Sequence, residues 1–176
     1  MIEIRIHGRG GQGVKKASQI LGRAGYLAGF QTQDFAMYGA ERSGAPVTSF
    51  VRLDKKKIST RGYIFEPDYI LVIDDTLNSK ETLLGKKSAT KIVTNSIQAG
   101  KSKNVYNIDA THIAIEETGT NKGANIAILG EFIKLFKLIN LKHLKKAIEV
   151  ELGKHPEALK NNISIAERAY NRIDKS

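Results

Sequence analysis

The chain has 176 residues, enough for one domain with a sizeable core, and its 41% hydrophobic content is ordinary for a globular fold. It carries 28 Lys and Arg against 18 Asp and Glu, a formal charge of +10 that suits an anionic partner. It has no cysteine, which excludes disulfides, thiolate catalysis, thiolate zinc sites and cysteine-held iron–sulfur clusters on this chain.

At the N-terminus Ile2, Ile4 and Ile6 alternate with Glu3, Arg5 and His7, which predicts a strand with one apolar face. Val14, Ala17, Leu21, Ala24 and Ala28 recur at three and four residues, which predicts a helix. Gly8-Arg9-Gly10-Gly11-Gln12-Gly13 therefore lies on a strand-to-helix turn. Gly22 and Gly25 suggest close packing of that helix on a strand, and Gly29 its C-terminal cap. Phe30–Phe35 is a second strand with Asp34 near its end, giving a βαβ unit. Residues 38–46, with two glycines and a proline, form a loop that holds Glu41 and Arg42. This pair is either a local ion pair or part of a site.

Val47 to Leu53 alternates as a strand, and Ile58 onward is expected to return antiparallel as a hairpin, so the sheet is expected to be mixed. The apolar run Tyr69–Ile73 is the best candidate for a strand buried on both faces. Asp74, Asp75 and Thr76 at its end read as a cap or a solvated loop rather than a Mg²⁺ site. Lys91–Asn95 and Asn104–Ile108 are further strands. Asp109 or Thr111 caps a helix through Ile113, and three more helices follow: 125–138, one through Leu141 to Leu152, and 157–173. The whole is a single α/β domain over residues 1–176, an open Rossmann-like mixed sheet flanked by helices.

Gly8, Gly10 and Gly13 match the G-x-G-x-x-G spacing of phosphate-binding turns, where backbone N–H groups and a helix start face an anion. A stand-alone dinucleotide-binding oxidoreductase would need an acidic residue about twenty positions on. Asp34 lies 21 after Gly13. Against that reading, the first strand alternates with charge, so Arg5 or His7 would need exposure or a partner inside the sheet. His112, His143 and His155 stand without a matching acid or nucleophile. No apolar run reaches the ~18 residues a membrane helix needs, and no signal-peptide core or nucleic-acid signature appears. A cytoplasmic location without membrane or nucleic-acid partners is the expectation.

Gly8-Arg9-Gly10-Gly11-Gln12-Gly13-Val14 resembles the N-terminal turn of the gamma subunits of 2-oxoacid:ferredoxin oxidoreductases, above all the pyruvate enzyme. Tyr38 to Val47 resembles that family's second signature, and Val51-Arg52, Pro67-Asp68, Ile92–Asn95, Asp109–Thr111 and Asn125 with Leu129-Gly130 follow in the family's order. Ser43 departs from the pattern, standing where the pyruvate enzymes usually carry a second arginine. The resemblance implies a single gamma domain in a complex that decarboxylates a 2-oxoacid oxidatively to acyl-CoA and CO₂ and reduces ferredoxin. Thiamine diphosphate, Mg²⁺ and iron–sulfur clusters would then sit on the alpha, beta and delta partners, with coenzyme A as co-substrate. No residue of this chain is expected to be catalytic or to bind a metal. Gly8, Arg9, Gly10, Gly11, Gln12, Gly13, Glu41 and Arg42 are the residues expected to face an anion, coenzyme A or a subunit interface.

Overall fold

The computed structural model describes residues 1–37, 43–77, 79–98 and 103–172. Its six strands are β1 (Ile2–Arg9), β2 (Gln31–Ala36), β3 (Pro46–Asp54), β4 (Tyr69–Val72), β5 (Lys91–Asn95) and β6 (Val105–Ile108). The helices are α1 (Val14–Leu27), α2 (Ser79–Thr82), α3 (Ala110–Thr118), α4 (Ala124–Phe136), α5 (Leu141–Leu152) and α6 (Pro156–Asn171). The strands form one sheet in the order β2-β3-β1-β4-β5-β6. β3 runs antiparallel to both β1 and β2, while β4, β5 and β6 are parallel to β1, so the sheet is mixed as expected. The chain leaves β1 toward β2 on one side and reaches β4 on the other. The carboxyl ends of β1 and β4 therefore flank the point where strand order reverses, the usual ligand crevice of such sheets.

α1 packs on the sheet because two glycines let it. A Cβ at Gly25 would sit 2.5 Å from Leu53 Cδ2, and one at Gly22 would sit 2.9 Å from Asp34 Oδ1. The helix ends with Gly29 at φ +83°, where the Phe30 N–H reaches the Gly25 carbonyl and the Gly29 N–H reaches that of Tyr26. Asp109 caps α3 by accepting from the His112 N–H. α4 is buried at every position from Ala124 to Ile133, because it lies beneath α3 and α6 as well as against the sheet side. The main core gathers Ile4, Ile6, Leu21, Val51, Leu71, Val93, Phe132 and Ile165 between sheet and helices.

One expectation fails. The residues after Asp54 do not return as a hairpin strand. β3 already has β1 and β2 on its two sides, so no edge is left for a returning strand, and residues 55–66 cross the opposite sheet face as coil. Of the two outcomes open to Arg5 and His7, exposure or a partner inside the sheet, the second holds. β1 is central, and Arg5 and His7 are both buried. Arg5 Nε donates to His7 Nε2 at 2.9 Å, and its other nitrogens donate to the carbonyls of Ile64, Phe65, Thr82 and Leu84. The guanidinium is tolerated inside because backbone oxygens saturate it. The short α2 went unforeseen, and the last helix starts one residue earlier than expected, at Pro156; Ile173 lies outside the described residues.

Candidate functional site

The glycine turn occupies the switch point. Gly8 is forced by closeness, since a Cβ there would lie 2.6 Å from Val14 Cγ2 and 3.3 Å from Ile73 Cβ. Gly11 at φ +93° and Gly13 at φ +73° adopt the left-handed backbone that side chains disfavour. At Gly13 a Cβ would strike Asn125 Nδ2 at 2.6 Å, whereas at Gly11 nothing lies within 4 Å. Gly11 therefore edges open space, a cradle that a side chain would fill.

The turn is braced from both neighbours. Gln12 Oε1 accepts the Arg9 N–H at 2.7 Å, and Gln12 Nε2 donates to Asp74 Oδ2 at 2.7 Å. Arg9 Nε donates to the same carboxylate oxygen at 3.2 Å, and its terminal nitrogens donate to the Gly44 carbonyl and to Thr76. The Gly10 N–H donates to the Ala45 carbonyl, and the Gly44 N–H to that of Gly10. Burial alone would raise the Asp74 carboxyl. Hydrogen bonds from Thr76 and Gln12, with the Arg9 charge behind them, instead hold it below the usual carboxylate range. Sequence reasoning read Asp74 as a cap or a solvated loop. The structure makes it the acceptor that locks the turn to β4. Its place directly after a fully buried strand was the available signal.

α1 starts at this turn with no side-chain cap and no acidic residue in its first turn; Lys15 and Lys16 stand there instead. A helix start is electropositive and favours an anion; Lys16 already pairs with Glu151 of α5 at 3.2 Å. A cleft of about 820 Å³ opens beside it, lined by Arg9, Gly10, Gly11, Gly13, Lys15 and Ser43 among others, with no carboxylate among the described lining residues. On the other side of the turn a cleft of about 420 Å³ is lined by Gly11, Gln12, Asn95, Thr111, Lys122 and Asn125 among others. Asn125 donates to the Gly13 carbonyl at 3.1 Å, and Asn95 bridges the Ile73 carbonyl to the N–H groups that open α3. Sequence reasoning tied neither asparagine to the turn, because the contacts join residues more than a hundred positions apart or cross strands. Glu41 and Arg42 lie outside the described residues.

Asp34 is not at the turn. β3 is inserted between β1 and β2, and Asp34 lies against Gly22 in the middle of α1, beside Arg23 and Glu151. The dinucleotide reading thereby loses the acidic residue it needed. Of the histidines singled out, His112 is exposed beside Glu116, and His155 is exposed at the start of α6. His143 lies in the first turn of α5.

Fold and site together define a Rossmann-like α/β domain with a glycine turn at its switch point. A family model described as pyruvate ferredoxin/flavodoxin oxidoreductase matches residues 3–172. The chain belongs to that family. It is 41% identical to pyruvate synthase subunit PorC of Methanocaldococcus jannaschii, over 99% of this chain and 98% of that one. It is 35% identical to the common gamma subunit of the pyruvate/ketoisovalerate oxidoreductases of Pyrococcus furiosus, again over 99% and 98%. The crystal structure of pyruvate oxidoreductase subunit PORC from Thermotoga maritima matches with a TM-score of 0.83 at 31% identity, covering 97% of this chain and 96% of that chain. Like these relatives, the chain is a gamma-type subunit of a 2-oxoacid oxidoreductase. Among the described residues no helix is long and apolar enough to cross a membrane.

Proposed function

We propose that this chain is the binding and positioning subunit of a cytoplasmic pyruvate:ferredoxin oxidoreductase, assembled with alpha, beta and delta subunits. The complex converts a 2-oxoacid and coenzyme A to acyl-CoA and CO₂ and passes the electrons to ferredoxin. The observation that carries the reading is the family match over residues 3–172, glycine turn included. We place thiamine diphosphate and Mg²⁺ on the companion subunits, and the iron–sulfur clusters with them, because this chain has no thiolate to hold a cluster. The Pyrococcus furiosus relative is common to a pyruvate and a ketoisovalerate oxidoreductase. One gamma chain serving two acids does not choose between them, so we assign the choice of acid to the companions here too.

Coenzyme A fits the cleft at the turn through its phosphates. The start of α1, which no side chain caps, supplies donors, and no carboxylate of the described lining opposes an anion. Arg9, engaged with Asp74 and Thr76, acts by holding the turn in shape. A carboxylate of a companion subunit is the other anion the cleft would accept.

The test uses the purified complex carrying Gly11→Ala. The new methyl enters open cleft space on a left-handed backbone. The expected result is a KM for coenzyme A raised about tenfold, with the KM for the oxoacid unchanged. An unchanged KM for coenzyme A in an intact complex would remove coenzyme A from this cleft. A tagged chain that recovers no companion bearing iron–sulfur absorbance would remove the subunit reading itself.

A further inference from the structure

The sheet is covered unequally. α1, α4, α5 and α6 lie on one face with the main core. The other face presents Phe35, Phe50, Arg52, Arg5, His7, Val72 and Ile92 in strand alternation. Among the described residues its cover is the coil of residues 55–66, the four-residue α2 and Leu83.

Two buried arginines pin that cover. Arg52 donates to Glu3, to Gln33 and to the carbonyls of Gly62 and Tyr63. Arg5 holds the carbonyls of Ile64, Phe65, Thr82 and Leu84. In the pinned segment Ile64 turns inward at 2% exposure and the Tyr63 ring stacks on Phe50 at 5.4 Å, while Phe65 stays outward at 73%. Leu84, hooked on the same guanidinium as Phe65, is 71% exposed. Gly85 lies tight against the Phe65 carbonyl, fixing the two segments side by side. A single exposed apolar residue needs no explanation. Two side by side, Phe65 and Leu84, held out on one guanidinium, form a preorganised contact.

Charge identifies the occupant. Residues 55–66 and 79–90 carry seven Lys and Arg against two Glu, so these 24 residues hold half of the chain's excess of ten positive charges. A second copy would bring the same cationic rim and be repelled. The geometry points to this face as the dock for a companion subunit, which meets it with an apolar centre over Phe65 and Leu84 and an acidic rim. The inference rests on the subunit reading above and adds to it which face meets the partner and what the partner's surface is made of.

The test expresses the tagged full chain in its native cells and quantifies co-purified companions by mass spectrometry. Phe65→Ser with Leu84→Ser should lower their recovery at least ~tenfold. Lys57→Glu with Lys86→Glu should lower it too. Tyr26→Ser with Val150→Ser, also exposed but on the helix side, should leave it unchanged. Coupling with a carbodiimide, which joins a lysine Nζ to a carboxylate with loss of water, should link Lys57 or Lys86 to Asp or Glu of a companion.

Full recovery of companions by both face variants overturns the inference, as does cross-linking only through helix-side lysines such as Lys142 and Lys160. A dimer of the isolated chain that sediments as monomer once Phe65 and Leu84 are replaced also overturns it, by giving the face to a second copy. Should the serine pair fail to fold, as seen in its melting curve, the charge pair and the cross-links decide. If the unsubstituted chain recovers no companion, the subunit reading is what has failed.

Discussion

His7 sits in the middle of the sheet and stays neutral there. Its Nε2 accepts from Arg5, which leaves Nδ1 to carry the proton and face Thr48 Oγ1 at 3.3 Å. Burial, reinforced by the Arg5 charge, pushes its pKa down to about 3. In the unfolded chain the ring titrates near 6.5. Between those values the unfolded state binds a proton that the folded state refuses. This contribution to stability is therefore complete above about pH 6.5 and is lost as pH falls toward 3. While the proton count differs by one, the loss is about 1.4 kcal/mol per pH unit. His7→Gln should flatten that limb. Urea unfolding of the isolated chain at intervals from pH 6.5 to 4 measures it, and equal slopes for both proteins would show that His7 is not the group responsible. The alternation of β1 displayed both residues as charged positions, but only the tertiary partners show that they are buried together. A local pattern reads period, not the number of layers covering a strand.

At the scale of elements, the sequence was most legible where one face of a segment is apolar and the ends carry caps. α5 matches its expected span, Leu141 to Leu152, and Asp109 caps α3 as expected. Gly22 and Gly25 were read as close-packing positions, and Leu53 and Asp34 prove to be what they approach. The hairpin after Asp54 was misread because a turn signal, Asp54-Lys55-Lys56-Lys57, says where the chain bends but not whether a free edge awaits it. The candidate site was half legible: the glycines announced the turn, while Asp74 and Asn125 join it through contacts no local spacing records. Gly130 on α4 is the element-scale counterpart. A Cβ there would lie 2.8 Å from the Ala166 carbonyl oxygen and 3.0 Å from Ala169 Cβ on α6. Backbone at that distance yields only if α6 moves. Gly130→Ala gains ~1 kcal/mol of helix propensity but, striking backbone, meets overpacking in the upper part of the usual range, about 2–3 kcal/mol. The expected net is a loss of about 1–2 kcal/mol in urea or thermal unfolding. Unchanged or higher stability would mean that α6 rides outward freely.

The whole molecule is built with two unlike sides, and its stability should be distributed accordingly. On the helix side, apolar side chains from β1, β3, β4, α1, α4, α5 and α6 interlock in one continuous core. On the other side, a small cluster of Ile70, Val72 and Ile92 lies under coil, and that coil is held chiefly by hydrogen bonds from Arg5 and Arg52 to backbone oxygens. Local opening follows the number of apolar contacts that must break. Amides of residues 55–66 and 80–86 should therefore exchange through small openings, while those of β1 and α4 should exchange only on global unfolding. Arg5→Met separates the two sides. It fills the space with an apolar chain but abandons the carbonyls of Thr82 and Leu84, the closest of the carbonyls Arg5 holds, at 2.9 and 2.7 Å. Each abandoned buried oxygen costs ~1–3 kcal/mol unless water reaches it. Because the coil is at the surface, water will reach it by letting the segment lift. Hydrogen exchange read by mass spectrometry should then show protection falling steeply in peptides spanning 60–66 and 80–86, while the α4 peptide keeps most of its protection. Loss spread evenly over both sides would mean that the coil and the helix layer form one cooperative unit, and that the clasp supports the entire sheet rather than one of its faces.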